Sequence, residues 1–146
     1  QAAVGVAQME RLDEIIEKRQ AVAEYYFDRL RGVPQLVLPT IQSASVMSWF
    51  VFVVRLVAGW DVMERDRIIA SLRRHDIGCA AYFPCIHLQT PYRKSFGFRE
   101  GSFPIAESVA GRTIALPFHA NLTRRDVDLV AQTLEVMLAR EDISRQ

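Results

Sequence analysis

A surplus of one charge is missing from this chain. Its 18 basic and 17 acidic residues leave a net charge of +1, too little for a dedicated nucleic-acid surface. "RLRGV" and "SLRRHD" cluster arginines, but acidic residues sit nearby, and a solvated helix face accounts for both. Long hydrophobic runs are missing too. The longest, "VMSWFVFVV", stops at Arg55, well short of the roughly 18–20 residues a membrane span needs. No charged start leads into an apolar signal core. Two cysteines in 146 residues do not make a disulfide scaffold, so a reducing cytoplasmic setting is the default. Repeats, low-complexity segments and linkers are absent. What is present is apolar: 50% of the residues are hydrophobic, enough for the core of one ordinary domain.

Further scarcities bear on chemistry. The seven glycines are scattered as helix stops and turns, and no Gly-rich phosphate loop is present. Only Lys18 and Lys94 are available for Schiff-base work. Both are expected at the surface, because neither lies in an apolar stretch that would lower its pKa. His75, Cys79, Cys85 and His87 have the ligand types zinc takes, but their spacing lacks the close pairs of structural sites. Cys85 stands two residues from His87, yet a thiolate nucleophile needs an electropositive niche. A buried, inert thiol is the better expectation for Cys79, and also for Cys85.

The order of elements reads helix, strand, strand, helix, strand, then helices. Leu12, Ile15, Ile16, Val22, Ala23, Tyr26, Phe27 and Leu30 recur at helical spacing, predicting one amphipathic helix over about 2–31 that Gly32 and Pro34 end. It opens without a capping residue, so the chain is expected to continue upstream of Gln1 in a parent protein. "LVLP" predicts a short strand and "IQSASV" a polar connector. "SWFVFVVRL" predicts a central strand, with Trp49, Val51, Val53 and Arg55 on one face and Phe50, Phe52, Val54 and Leu56 on the other. The next helix carries a capping pair in Asp61 and Glu64, an inner face of Ile68, Ile69 and Leu72, and a stop at Gly78. "CAAYF" is a strand closed by Pro84. A short helix at "TPYRKSF", a turn at "REGSF", a helix at "PIAESVAGR" and a strand at "TIALP" follow. The last helix is capped by Thr123 and Asp126, turns Val127, Val130, Ala131, Leu134, Met137 and Leu138 inward, and ends in a fraying tail, "EDISRQ". The fold class is α+β: a small, mainly antiparallel sheet with helices packed on one side.

"YFPCIHLQTPYR" is the segment least like a core strand. Pro84 removes a ladder donor, after which Tyr82, Phe83, His87, Gln89 and Tyr92 crowd together. Flat apolar surfaces with polar tips suit the wall of a small-molecule site, and a neutral imidazole can donate or accept a hydrogen bond there. Residue types alone favour the other reading, a structural histidine that anchors an irregular loop.

A longer pattern surrounds this segment. Tyr82-Phe83, Ile86-His87-Leu88-Gln89, Tyr92-Arg93, Phe96-Gly97, Phe103-Pro104-Ile105-Ala106-Glu107 and Leu116-Pro117-Phe118-His119 stand in order. The pattern resembles the C-terminal part of the DegT-type pyridoxal-phosphate-dependent nucleotide-sugar aminotransferases. "QAAVGVAQMERLDEIIEKRQAVAEYY" is similar to that family's inter-domain helix, and "SWFVFVVRL" to its following strand. The resemblance runs from Gln1 to about residue 139. It implies an inter-domain helix at 1–31 and a small C-terminal domain at 32–146 of a fold type I enzyme. Pyridoxal phosphate would belong to a large N-terminal domain absent here, with its Schiff-base lysine, phosphate-binding residues and pyridine-pairing aspartate. Cys85 stands where the family usually has a second proline.

The resemblance implies a homodimeric parent transaminase that moves an amino group from glutamate to a nucleotide-linked keto-sugar, for polysaccharide or antibiotic sugars. Tyr82, Phe83, His87 and Gln89 are its expected substrate-side wall, with His87 as hydrogen-bond donor or loop orienter and neither acid nor base. No residue of this chain is expected to be catalytic or to hold the cofactor or a metal. The alternative is a non-catalytic regulatory or small-molecule-binding module of the same fold.

Overall fold

A computed structural model describes residues 2–43 and 45–145. Gln1, the expected start of the inter-domain helix, Ala44 in the polar connector and Gln146 at the end of the expected tail lie outside the described residues. Four short strands form one antiparallel sheet: β1 (Leu36–Val37), β2 (Phe52–Leu56), β3 (Ala80–Ala81) and β4 (Thr113–Leu116). Their order is β1-β2-β4-β3, so β2 is central. Leu36 pairs with Leu56, and Val54 with Ile114.

The helices are α1 (Ala2–Met9), α2 (Leu12–Leu30), α3 (Val62–Arg74), α4 (Thr90–Phe96), α5 (Pro104–Ala110) and α6 (Arg124–Ser144), with a 3-10 turn at Ile86–Leu88. The strand residues Phe52, Val54, Leu56, Ile114 and Leu116 are buried on one face of the sheet. Against them lie Val22, Ala23, Tyr26 and Leu30 of α2, Ile68, Ile69 and Leu72 of α3, and Val127 to Leu138 of α6. Each such aliphatic side chain contributes about 1.5–3 kcal/mol on leaving water. Tyr26 stacks on Phe52 at 4.8 Å between ring centres, and its hydroxyl donates to Pro117 O at 2.7 Å. The opposite face of β2 carries the half-buried Val53 and Arg55. This is the α+β arrangement that the periodicity predicts.

Both capping boxes form. Asp61 accepts from Glu64 N while Glu64 accepts from Asp61 N, and Thr123 and Asp126 do the same at α6. These bonds occupy backbone donors that the first helical turn leaves free.

Four local expectations need correction. The single helix over 2–31 is two, with a turn at Glu10–Arg11. α1 buries no side chain, so no packing enforces a straight continuation. The β2 ladder starts only at Phe52, which reverses the two residues before Val51. Trp49 is buried, stacked on Phe52 at 5.6 Å and donating to Gln20 Oε1 at 3.0 Å, while Phe50 is 70% exposed. α3 ends at Arg74, before Gly78, with Asp76 taking the left-handed turn at φ 59°. Asp tolerates that conformation better than most residues.

The C-terminal tail does not fray within the described residues. α6 continues through Ser144. Glu141 pairs with Arg67 at 2.9 Å, and Asp142 accepts from Gln35 Nε2 at 2.6 Å. Arg145 donates to Gly59 O at 2.6 Å and lies 4.6 Å over the Trp60 ring. Polar composition concealed partners that lie far away in sequence.

Candidate functional site

The "YFPCIHLQTPYR" segment leaves the sheet at the edge strand β3. The ladder stops at Ala81, and the Tyr82 carbonyl accepts instead from the Thr113 hydroxyl at 3.3 Å. Phe83 then adopts φ 51°, a left-handed value that is rare for an aromatic residue and costs about 1–2 kcal/mol. The turn throws the Phe83 ring outward, 66% exposed, with its centre 4.5 Å from that of Tyr82. Tyr82 is half-buried and lines a recess of about 310 Å³ with Pro39, Met47, Trp49, Val51 and Val53. That recess is almost wholly apolar in its wall residues.

His87 goes the other way. The Ile86–Leu88 turn buries its ring to 9% exposure. Phe103 packs edge-on at 4.8 Å and Phe98 at 6.4 Å. Its Nε2 lies 2.9 Å from Glu107 Oε1. The Glu107 carboxylate also accepts from the backbone N–H groups of Gly101, at 2.9 Å to Oε2, and Phe103, at 3.1 Å to Oε1. The Gly101 and Phe103 N–H groups hold the Glu107 pKa below its ordinary value, with His87 adding to the effect. An ionised carboxylate only accepts, so Nε2 must carry the proton in this pair. The pair ties the loop after β3 to the start of α5 across 20 residues of sequence.

Gln89 is exposed at the N-cap of α4, where its side chain makes no capping bond. Of the four expected wall residues, the structure thus brings Tyr82 and Phe83 into contact. It places Gln89 at the surface and seats His87 in an aromatic box with its Nε2 engaged. Glu107 is the residue to which sequence reasoning gave no role. Its signal was its place in Phe-Pro-Ile-Ala-Glu: a carboxylate four residues past an aromatic residue that precedes proline reaches back to that residue's N–H.

The other candidates disperse. Lys18 pairs with Glu14 on the exposed side of α2, and Lys94 is exposed on α4. Neither lysine stands in a dry pocket, so the residues present do not fit a Schiff-base site for pyridoxal phosphate. Cys79 is buried with Sγ 3.8 Å from Ile69 O, and burial pushes its pKa up. Cys85 is half-buried and His75 is exposed at the end of α3. Among the described residues no group of three or more His, Cys, Asp or Glu side chains converges as a metal site. Among the same residues no helix is long and apolar enough to cross a membrane.

Known structures define the class first. The chain superposes on aminotransferase TlmJ from Streptoalloteichus hindustanus with a TM-score of 0.82 at 29% identity, over 95% of this chain and 36% of that one. A structure of the putative sugar aminotransferase Spr1654 from Streptococcus pneumoniae in its PLP-form gives a TM-score of 0.87 over 96% of this chain and 35% of that one. Its 23% identity speaks for the fold alone. The spore coat polysaccharide biosynthesis protein SpsC of Bacillus subtilis (strain 168) is 28% identical over 143 residues, 97% of this chain and 37% of SpsC. Residues 1–135 match the model of the DegT/DnrJ/EryC1/StrS aminotransferase family, and the chain belongs to that family. It spans about a third of the length of these relatives.

Proposed function

We propose that this chain is the small domain of a cytoplasmic, homodimeric transaminase, preceded in the parent polypeptide by the domain that binds pyridoxal phosphate. The parent transfers an amino group from glutamate to a keto-sugar carried on a nucleotide. The observation that carries this reading is the family match over residues 1–135. The cofactor supplies the carbanion chemistry, and this chain supplies one wall of the sugar site. Tyr82 and Phe83 offer flat apolar surface to the substrate, and Gln89 offers an exposed amide that both donates and accepts. His87 is a positioning residue. Its Nε2–H is committed to Glu107, so it holds the loop that presents Phe83 and carries no proton in the reaction.

Steady-state kinetics on the parent polypeptide test the wall. Phe83→Ala and Gln89→Ala are expected to raise KM for the keto-sugar nucleotide by about tenfold each, in line with losing about 1.4 kcal/mol of substrate contact. They leave KM for glutamate unchanged. Unchanged sugar KM in both variants would overturn the assignment. Saturable nucleotide-sugar binding by a parent that never transaminates would instead mark a binding module.

A further inference from the structure

The outward face of the sheet holds a second recess, of about 590 Å³, between strands β1 and β2 and helix α5. Arg55 and Val37 are register partners on that face. Among the described residues, Arg55 Nε is the one buried side-chain nitrogen or oxygen with no hydrogen-bond partner. Leaving a cationic N–H dry and unpaired is costly. Arg112 also lines the recess, with three of its five N–H groups donating to Ser108 O, Ser108 Oγ and Leu56 O. No aspartate or glutamate lines it, and Val37, Val57 and Val109 supply apolar wall.

We infer that this recess binds a small aliphatic carboxylate, with its carboxylate on the Arg55 guanidinium and its hydrocarbon stem on the three valines. The Arg55 guanidinium, whose Nε has no partner of its own, makes the ligand an anion. A carboxylate matches one planar fork, with two oxygens facing two N–H groups. A bare phosphate meets the same donors but leaves the valine wall uncovered, so the hydrocarbon stem decides between the two anions. The stem follows from the valine wall, which would gain nothing from a bare ion. This inference stands apart from the transaminase reading, which uses the recess at Tyr82.

Sodium hexanoate, sodium acetate and inorganic phosphate are titrated into the protein while its arginine Nε–Hε resonances are followed by nitrogen-15 NMR. Hexanoate is expected to shift the Arg55 signal saturably and to bind at least several-fold more tightly than acetate or phosphate. Arg55→Met should weaken hexanoate binding by about tenfold or more, the value of a charge-assisted pair. Ile105→Asp provides a variant safe for folding, because Ile105 is 81% exposed at the rim of the recess. Its carboxylate should also weaken hexanoate severalfold through repulsion. Phosphate binding as tightly as hexanoate, equal affinity for acetate and hexanoate, or hexanoate affinity indifferent to Ile105→Asp would overturn the inference.

Discussion

Glu107 shows how much one carboxylate can organise. It accepts from two backbone N–H groups and from His87, and so fixes two loops at once. Glu107→Gln keeps the size but loses the charge, and amide hydrogen exchange at Gly101 and Phe103 is expected to quicken. Because folding lowers the Glu107 pKa, its contribution to stability is present above the ordinary carboxylate range. It is lost as pH falls through the lowered value. The stability gap between the wild type and Glu107→Gln should therefore be open at neutral pH and close as acidification passes below the ordinary carboxylate range. A gap that widened in acid would contradict this. Tyr26 offers a second residue-scale check. Tyr26→Phe removes the 2.7 Å bond to Pro117 O from a fully buried ring, which should cost about 1 kcal/mol in urea unfolding. The aromatic character of the segment around His87 was readable from residue types, but the partner of His87 was not. Periodicity and spacing see a few residues along the chain, whereas His87 and Glu107 meet across 20.

Elements fared according to how local their causes are. Both capping boxes were legible, because a cap and its partner lie three residues apart. Thr123→Ala should accordingly lower stability by about 1 kcal/mol. The inward faces of α3 and α6 followed from helical periodicity alone. Where elements end proved harder to read. Trp49 turned inward because the Gln20 side chain waits there for its indole N–H. The helix expected over 2–31 broke at Glu10–Arg11 because α1 has nothing to pack against. The tail "EDISRQ" read as solvent-bound because Arg67, Gln35, Gly59 and Trp60 lie on other elements. Removing residues 141–146 is expected to cost about 1–2 kcal/mol in chemical denaturation, from a partly exposed ion pair, a side-chain hydrogen bond and a cation–π contact. No loss of stability would restore the frayed-tail picture.

For the whole molecule, one face of the sheet is closed by α2, α3 and α6, while the other carries recesses beside Tyr82 and Arg55. The α+β class followed from the order and periodicity of the elements. The family emerged from a string of short motifs that the match over residues 1–135 bears out. The chain offers only Lys18, paired with Glu14, and the exposed Lys94. The proposed division of labour therefore puts the cofactor on other polypeptide and leaves this domain to shape the substrate side. The most direct test follows nitrogen-15 from labelled glutamate into a nucleotide-linked keto-sugar in the presence of pyridoxal phosphate. It compares this chain alone with the polypeptide that joins it to the proposed cofactor domain. The account predicts a labelled amino-sugar from the joined polypeptide, and from the chain alone neither that product nor the absorbance band of a lysine Schiff base. Transfer by the chain alone, or none by the joined polypeptide, would contradict it.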